Sequence, residues 1–443
     1  MASIDASSDA PFCADDLRDA WHAFDATERA EGFKLLSHRD AEHFFVELGS
    51  RDQAALLIAL PEDERSLWMR ILAPDDAADL VQIAPASHRA ALLNVLDDAT
   101  RHEVNALLAY AEDAAGGLMN PRFARARPEM TVDEAIGYVR KQARDRVAAF
   151  HYVYVLDPEQ HLLGAVTFRD LFAAPAERTL REIMRTDIVR VEETTHQSEV
   201  AHLFARHHLV AVPVVDKEAR IVGIITLDDV VQVVREKTTE DIQKLGGSEA
   251  LGDDYMRVPF LAMVKKRAGW LAALFLGEML TATAMGHFQD EIAKAVVLAL
   301  FVPLIISSGG NSGSQATTLV IRAMALGEVR LTDWWKIARR EVMSGIVLGA
   351  FLGMIGMVRI LTWQTLFHTY GAHAGVIALT VGVSLVGVVT FGTLAGSMLP
   401  FLLRRLGFDP ASACAPFVAT LVDVTGLVIY FSVASVIMGG SLL

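Results

Sequence analysis

The sequence predicts a multidomain chain: an all-α superhelical N-terminal domain, an α/β tandem repeat, and an α-helical membrane domain of five transmembrane helices. Three observations predict it. Residues 1–254 hold 46 Asp and Glu against 27 Lys and Arg, whereas residues 255–443 hold 8 against 13, nets of −19 and +5 that sum to the −14 of the chain. Residues 151–172 and 210–231 repeat one pattern at an offset of 59. Five long apolar segments follow residue 267. The boundaries are placed at 1–115 (acidic helical solenoid), 116–180 and 181–232 (two repeat domains), 233–266 (connecting helix) and 267–443 (membrane domain).

In the first domain Leu48, Leu60, Leu72, Ile83, Leu96 and Leu108 recur every 11–13 residues, punctuated by Pro61, Pro74 and Pro85. That spacing fits short stacked helices in a solenoid, and nothing in it looks catalytic. The acidic half offers nucleic acid no basic face, so nucleic acid is excluded as a partner. The first 20 residues lack a basic n-region and an apolar h-region, and the soluble half is expected to stay in the cytosol. Cys13 and Cys414 are far apart and imply no disulfide framework.

The two repeats share Val153/Val212, Val155/Val214, Asp157/Asp216, Glu159/Glu218, Gly164/Gly223, Thr167/Thr226 and Asp170/Asp229. Each reads as strand, turn, strand, then a helix entered at T-x-x-D, an N-capping pattern. "GGLMNP" (116–121) and "REIMRTD" (181–187) precede the two copies at comparable distances. Beyond the second copy, residues 228–247 have apolar residues at helical spacing and end in Gly246–Gly247, a helix stop. This helix leads toward the first membrane span and can carry a regulatory signal to it, or serve as a linker.

The apolar segments read as 268–286, 292–326, 341–363, 375–403 and 412–440. Each is long enough for the roughly 20 residues a span needs. Lys265, Lys266 and Arg267 precede the first, Arg330, Lys336, Arg339 and Arg340 lie between the second and third, and Arg404 and Arg405 between the fourth and fifth. Residues 287–291 and 364–374 hold no Lys or Arg. Every second loop is basic, so the N-terminus is expected in the cytoplasm and the C-terminus outside.

Within the second segment, Pro303 and the run Ser307–Gln315 weaken an apolar helix. Two readings stand: close helix packing through small residues, or a broken helix lining an ion path, with carbonyls, Asn311, Ser314 and Gln315 offering oxygens. Asp423 lies near the middle of the fifth segment, where a carboxylate costs roughly 2.5–3.5 kcal/mol on insertion scales. No basic residue of that segment neutralises it. The other carboxylate well inside a span is Glu278, for which packing, interface and ion roles stay open. A carboxylate with no cation from the protein invites one from solution.

The tandem repeat resembles a CBS-domain pair, which implies an adenine-nucleotide cleft for ATP or a related nucleotide, with Thr167, Asp170, Thr226 and Asp229 as ribose contacts. The order of solenoid, CBS pair, connecting helix and five spans, with "TTEDIQKLGG", "VPLIISSGGNSGSQATTLVIRA", "MLPFLLRRLGFDP" and "PFVATLVDVTGLVIYFSVA", resembles the MgtE family of magnesium channels over essentially the whole chain. The resemblance implies a non-enzymatic homodimer in the plasma (inner) membrane, surrounded by the lipid bilayer, with Mg2+ as both substrate and regulator. It places pore Mg2+ at Asp423 and the Ala419 carbonyl, with Gly310, Asn311 and Ser314 on the pore-lining break. It places regulatory Mg2+ at Asp216, Glu218, Asp228, Glu249, Asp97 and Asp98, closing the channel when cytosolic Mg2+ is high. Ala415 and Ser314 stand where some members carry Asn, which bears on selectivity among Mg2+, Co2+, Mn2+ and Ni2+.

The residues leave an alternative open, a secondary transporter coupling a divalent cation (Mg2+, Co2+ or Mn2+) to H+ or Na+ through Asp423 and Glu278. An intramembrane metalloprotease would need H-E-x-x-H, which does not occur.

Overall fold

The computed structural model describes residues 13–143, 149–252, 255, 258–294, 296–412 and 415–438. They fall into two compact units, Met1–Arg235 and Glu236–Leu443.

The first unit begins with eight short helices: α1 (Ala14–Ala20), α2 (Ala26–Leu35), α3 (His38–Glu47), α4 (Ser50–Ala59), α5 (Glu62–Met69), α6 (Pro74–Ile83), α7 (Ala86–Asn94) and α8 (Asp98–Leu107). The recurring leucines mark where these helices end. Leu48, Leu60 and Leu108 are the residues that close α3, α4 and α8. The prolines mark starts: Pro61 and Pro85 precede α5 and α7, and Pro74 opens α6, where its missing N–H costs no helical bond. Phe33, Phe44, Phe45 and Trp68 fill the first half of the stack, with the Phe33 and Trp68 rings 4.8 Å apart edge to face.

The repeats follow as α9 (Ala115–Leu118), β1 (Phe123–Ala126), α10 (Val132–Gln142), β2 (Ala149–Leu156), β3 (Leu162–Thr167), α11 (Phe168–Ala173), α12 (Leu180–Ile183), β4 (Val191–Glu192), α13 (Gln197–His207), β5 (Ala211–Val215), β6 (Ile221–Thr226) and α14 (Leu227–Leu245). Each sheet has three strands, the first parallel to the second and the second antiparallel to the third. The two pre-repeat stretches cross over: Asn120 exchanges backbone bonds with Ile224 of β6, and Arg185 with Ala165 of β3. The shared glycines make this possible. A Cβ on Gly164 would lie 2.7 Å from Met184 Sδ, and one on Gly223 2.8 Å from Met119 Cγ. Solenoid and second repeat share one core, in which Leu80, Val104 and Met119 pack with Val212 and Ile225.

The second unit receives the C-terminal half of α14, which ends at Leu245 with Gly247 at φ +73°, as the Gly246–Gly247 stop predicts. It continues with α15 (Phe260–His287), α16 (Gln289–Lys294), α17 (Val302–Ala325), α18 (Trp334–Phe367), α19 (Ala374–Arg405) and α20 (Ala415–Met438). Five of its segments are long and apolar enough to cross a membrane. The first, third and fourth run longer than their apolar stretches, at Phe260–His287, Leu331–Phe367 and Ala374–Arg405.

One expectation is corrected. The second span is not broken at Ser307–Gln315; α17 is continuous from Val302 to Ala325. Its irregular turn lies upstream, a 3-10 segment at Val296–Phe301, and Pro303 sits in the first turn of α17, where proline is tolerated. The small residues serve packing. A Cβ on Gly309 would lie 2.6 Å from Val388 Cγ1, and one on Gly313 2.8 Å from Gly392 O, so α17 and α19 touch backbone to backbone. α18 approaches α19 in the same way, at Gly349 against Val386 and Gly353 against Gly382.

Candidate functional site

Two constellations of carboxylates stand out, one in each unit.

In the membrane unit, α20 carries Ala415, Ala419 and Asp423 one turn apart on one face. α17 runs beside it: Gly310 faces Ala419, its missing Cβ 3.6 Å from the Ala419 Cβ, and the Ser314 hydroxyl donates to the Ala415 carbonyl at 3.4 Å. Asn311 donates to the Ser307 hydroxyl at 3.5 Å. The adjoining face of α17 is unlike a lipid-facing surface. Ser307, Asn311, Gln315 and Thr318 are all exposed, spaced as one stripe along the helix. Asp423 is half-buried, and the Glu278 carboxyl of α15 lies within hydrogen-bonding reach of it. The structure therefore brings Gly310, Ser314, Ala419 and Asp423 to one α17–α20 seam and adds Glu278 from a third helix.

In the first unit, α6 and α14 each open with two adjacent aspartates, Asp75–Asp76 and Asp228–Asp229, and the pairs face each other. Asp75 is buried and accepts from Asn120 Nδ2 at 2.9 Å. Burial, then Asp76 and Asp229, push the Asp75 carboxyl well above its ordinary value. Asp76 is raised as well, by the protein packed around it and by Asp228. Asp229 is pushed up to about 6 by burial, with Asp228 and Asp76 adding repulsion against the bonds it accepts from Thr226. These helix N-termini favour the charged forms, yet crowding four carboxylates together disfavours them. Such a cluster suits a hard divalent cation, which takes oxygen ligands directly or through its waters.

Asp228 was expected from the sequence and Asp229 only as a nucleotide contact; Asp75 and Asp76 were missed. The signal was present in "PDDAAD" at 74–79, a pair of carboxylates in a helix's first turn mirrored by "LDDV" at 227–230. Of the other expected regulatory residues, Asp97 caps α8 by accepting from Thr100 N and Oγ1 at 3.0 and 2.9 Å, and Asp98 pairs with Arg101. Asp216 braces the β5–β6 turn by accepting from Glu218 N and Arg220 N at 3.0 and 2.8 Å. Its counterpart Asp157 does the same for His161 N at 2.7 Å. Asp157, Glu159 and His161 can bring three ligand atoms within 4.8 Å of one another, but the Asp157–His161 bonds already account for that geometry. Glu249 belongs to the second unit, where its N–H donates to the Lys266 carbonyl.

The two T-x-x-D motifs diverge. Thr167 caps α11, accepting from Asp170 N at 3.0 Å, and lines a cavity of about 260 Å3 with Tyr152, Tyr154, Arg185, Asp187 and His208. Asp170 pairs with Arg185 at 3.3 Å. The Tyr154 hydroxyl is buried in that cavity's wall and has no hydrogen-bond partner among the described residues. Thr226 instead donates to Asp229 at 2.6 Å and to Asp228, which ties it to the acidic cluster.

Sequence models of known families match along the chain: the MgtE intracellular N domain over residues 14–113, CBS domains over 115–177 and 180–236, and the MgtE divalent cation transporter over 302–433. The magnesium transporter MgtE of Thermus thermophilus is 38% identical over 426 residues, covering 96% of this chain and 92% of that protein. The chain belongs to the MgtE family. The family's transporter of Enterococcus faecalis is 28% identical, covering 96% of this chain and 94% of its own length. A solved cytosolic domain of the Mg2+ channel MgtE in complex with ATP is 36% identical, with a TM-score of 0.47, covering 50% of this chain and 90% of that one. The family assignment fits a multi-pass membrane protein with a helical N domain and a CBS pair.

Proposed function

We propose that the chain is a Mg2+-selective channel for magnesium uptake, acting as a homodimer in the plasma (inner) membrane with its N-terminus cytoplasmic and its C-terminus outside. The observation that carries this reading is the stripe of Ser307, Asn311, Gln315 and Thr318, exposed on a helix of membrane length beside Asp423. Hydrocarbon does not solvate such a stripe. A second copy facing it across a two-fold axis gives a wet, polar path, with Asp423 supplying charge and the carbonyl of Ala419, Gly310, Asn311 and Ser314 supplying oxygens. Mg2+ dehydrates reluctantly, so a path of this kind holds it through its waters. The relatives named as magnesium transporters support Mg2+ as the ion.

In this reading cytosolic Mg2+ is also the regulator. It binds at Asp75, Asp76, Asp228 and Asp229, with Asp216, Glu218, Glu249, Asp97 and Asp98 as further acidic positions, and acts on the pore through α14, the helix that continues from the first unit into the second. Leu227, Val231 and Val234 form an apolar groove with Phe204 and Leu209, which supports pairing of two first units. The Thr167–Tyr154 cavity supports binding of ATP or another adenine nucleotide, with Asp170 held beside it by Arg185; Thr226 and Asp229 serve the acidic cluster instead.

One observation favours a second reading. Asp423 and Glu278 lie together, the arrangement a transporter coupled to H+ or Na+ would use. Reversal potentials of the reconstituted protein decide: a current that follows the Mg2+ Nernst potential at two pH values and two Na+ gradients means a channel. A reversal potential that moves with pH or Na+ means coupling.

A further inference from the structure

In the membrane unit α15 lies against α20, with a tight contact beside Glu278. Gly277 precedes it, and a Cβ there would sit 3.0 Å from Thr420 Cγ2. The missing side chain lets the two helices close at that level. The neighbouring Glu278 then meets Asp423, which is one turn beyond Thr420. No Lys or Arg lies between Trp270 and Gly286 of α15, or anywhere along α20. Among the described residues, Glu278 is the charged group that bears on Asp423 from the helices packed around it. A packing role alone would be served by any side chain of that size. A carboxylate placed against another in a span is costly unless a cation joins them.

We propose that Glu278 is a second cation-facing carboxylate of the permeation site, so that each protomer presents two negative charges at this level and favours a divalent over a monovalent ion. This rests on the reading of Asp423 as the pore carboxylate. With an ion that keeps its waters, the added attraction is Coulombic and scales with ion charge. One charge acting on a divalent ion about 6 Å away through water is worth roughly a factor of ten in occupancy, and about the square root of that for a monovalent ion.

The test uses the full chain in liposomes, with Mg2+ uptake measured across a concentration series and Na+ conductance measured without divalents. Glu278→Gln keeps shape and removes charge; it should raise the half-saturating Mg2+ about tenfold and preserve the maximal rate. The half-saturating Na+ should rise only about threefold, the signature of an attraction proportional to ion charge. Glu278→Asp should stay close to wild type. An unchanged Mg2+ dependence in Glu278→Gln overturns the proposal. So does equal loss for Mg2+ and Na+, or for Gln and Asp, because packing does not sense ion charge. Asp423→Asn separates the two readings. If it is inactive while Glu278→Gln is wild type, only the role of Glu278 falls; if Asp423→Asn transports normally, both fall.

Discussion

Replacing Asp409 by Asn should weaken closure by cytosolic Mg2+ while leaving conduction intact. Asp409 sits in the turn between α19 and α20, and its carboxylate receives Lys244 Nζ at 2.7 Å and Lys237 Nζ at 3.5 Å from the C-terminal half of α14. Lys244 also pairs with Glu240 at 2.5 Å, and Lys237 with Glu240 and Asp241 at 3.2 and 3.3 Å. Partial burial raises the Asp409 carboxyl, but the bonds from Lys244 and Ala411 N–H and the nearby Lys237 outweigh it and hold the group below its ordinary range. Gly247, just past the helix end, packs on Trp270 and Pro416, so the tie fixes α14 at the first turn of α20. The side chains are 24–39% exposed. Solvent screening therefore discounts the interaction, from the several kcal/mol of a buried pair to about 1–1.5 kcal/mol. Asn keeps an oxygen for the Ala411 N–H, so the substitution removes charge and spares the turn. About 1.4 kcal/mol is tenfold in the docking equilibrium of α14. A gate closed cooperatively by about three ions converts tenfold into roughly a twofold rise in the half-inhibiting Mg2+. Patch currents against cytosolic-side Mg2+ read it directly, and Asp409→Lys combined with Lys244→Asp should restore the midpoint. An Asp409→Asn midpoint equal to wild type at low ionic strength, where screening is weakest, would refute the role of this tie.

Three further outcomes follow from the same structure. Asp75→Asn should stabilise the Mg2+-free protein by about 2 kcal/mol, because it removes a buried charge from a repelling cluster, and should shrink the gain in α6 hydrogen-exchange protection on adding Mg2+; an undiminished gain counts against the cluster as a sensor. Without divalent ions, that protection should rise as pH falls from 7 toward 5. Asp229 moves from 3.8 unfolded to about 6 folded, so its stabilising proton is fully present below the unfolded value and lost as pH rises through the folded one, a difference of up to about 3 kcal/mol; protection that rises with pH has the wrong sign. Gly349→Val should collapse the membrane unit on size-exclusion chromatography, since its Cβ would lie 2.6 Å from Val386 Cα, whereas Gly375→Val, with nothing within 4 Å, should elute as wild type.

Local signals carried most of the fold. Proline and leucine spacing gave the solenoid because each short helix needs a start and a buried end. The 59-residue offset gave the repeat because two sheets of one topology need the same residues at the same places. What stayed hidden lies in contacts between distant segments. Asp75 and Asp229 are 154 positions apart in sequence, and neither says alone that it faces the other. The glycines of α17 read equally as a break or as packing, and only α19, with glycines at the matching heights, decides for packing. Asp97 and Asp216 look like free acidic ligands in a sequence, but each answers first to the backbone beside it.

Under the proposed regulation the acidic cluster suits a sensor because its charges repel one another. Two unit charges about 6 Å apart repel by roughly 3 kcal/mol at an effective dielectric near 20, and the Asp75–Asp76 and Asp228–Asp229 pairs face each other from two helix starts. Separating the helices relieves that repulsion, and so does a divalent cation between them. In the proposed reading the ion binds the closed arrangement better than the open one, and this difference moves the gate. At millimolar Mg2+ each site need be only weak; several acting together make the response steep. Asp228 and Asp229 form the first turn of α14, and Lys237 and Lys244 tie its last turns to Asp409; under the proposed regulation the same helix registers the ion at one end and meets the turn before α20 at the other. Cutting that helix's stiffness tests the idea without touching either end. Gln232→Gly with Glu236→Gly should cost about 2 kcal/mol of helix propensity, flatten the Mg2+ inhibition curve and leave uptake at low Mg2+ unchanged; a curve as steep as wild type would mean that α14 does not transmit the signal.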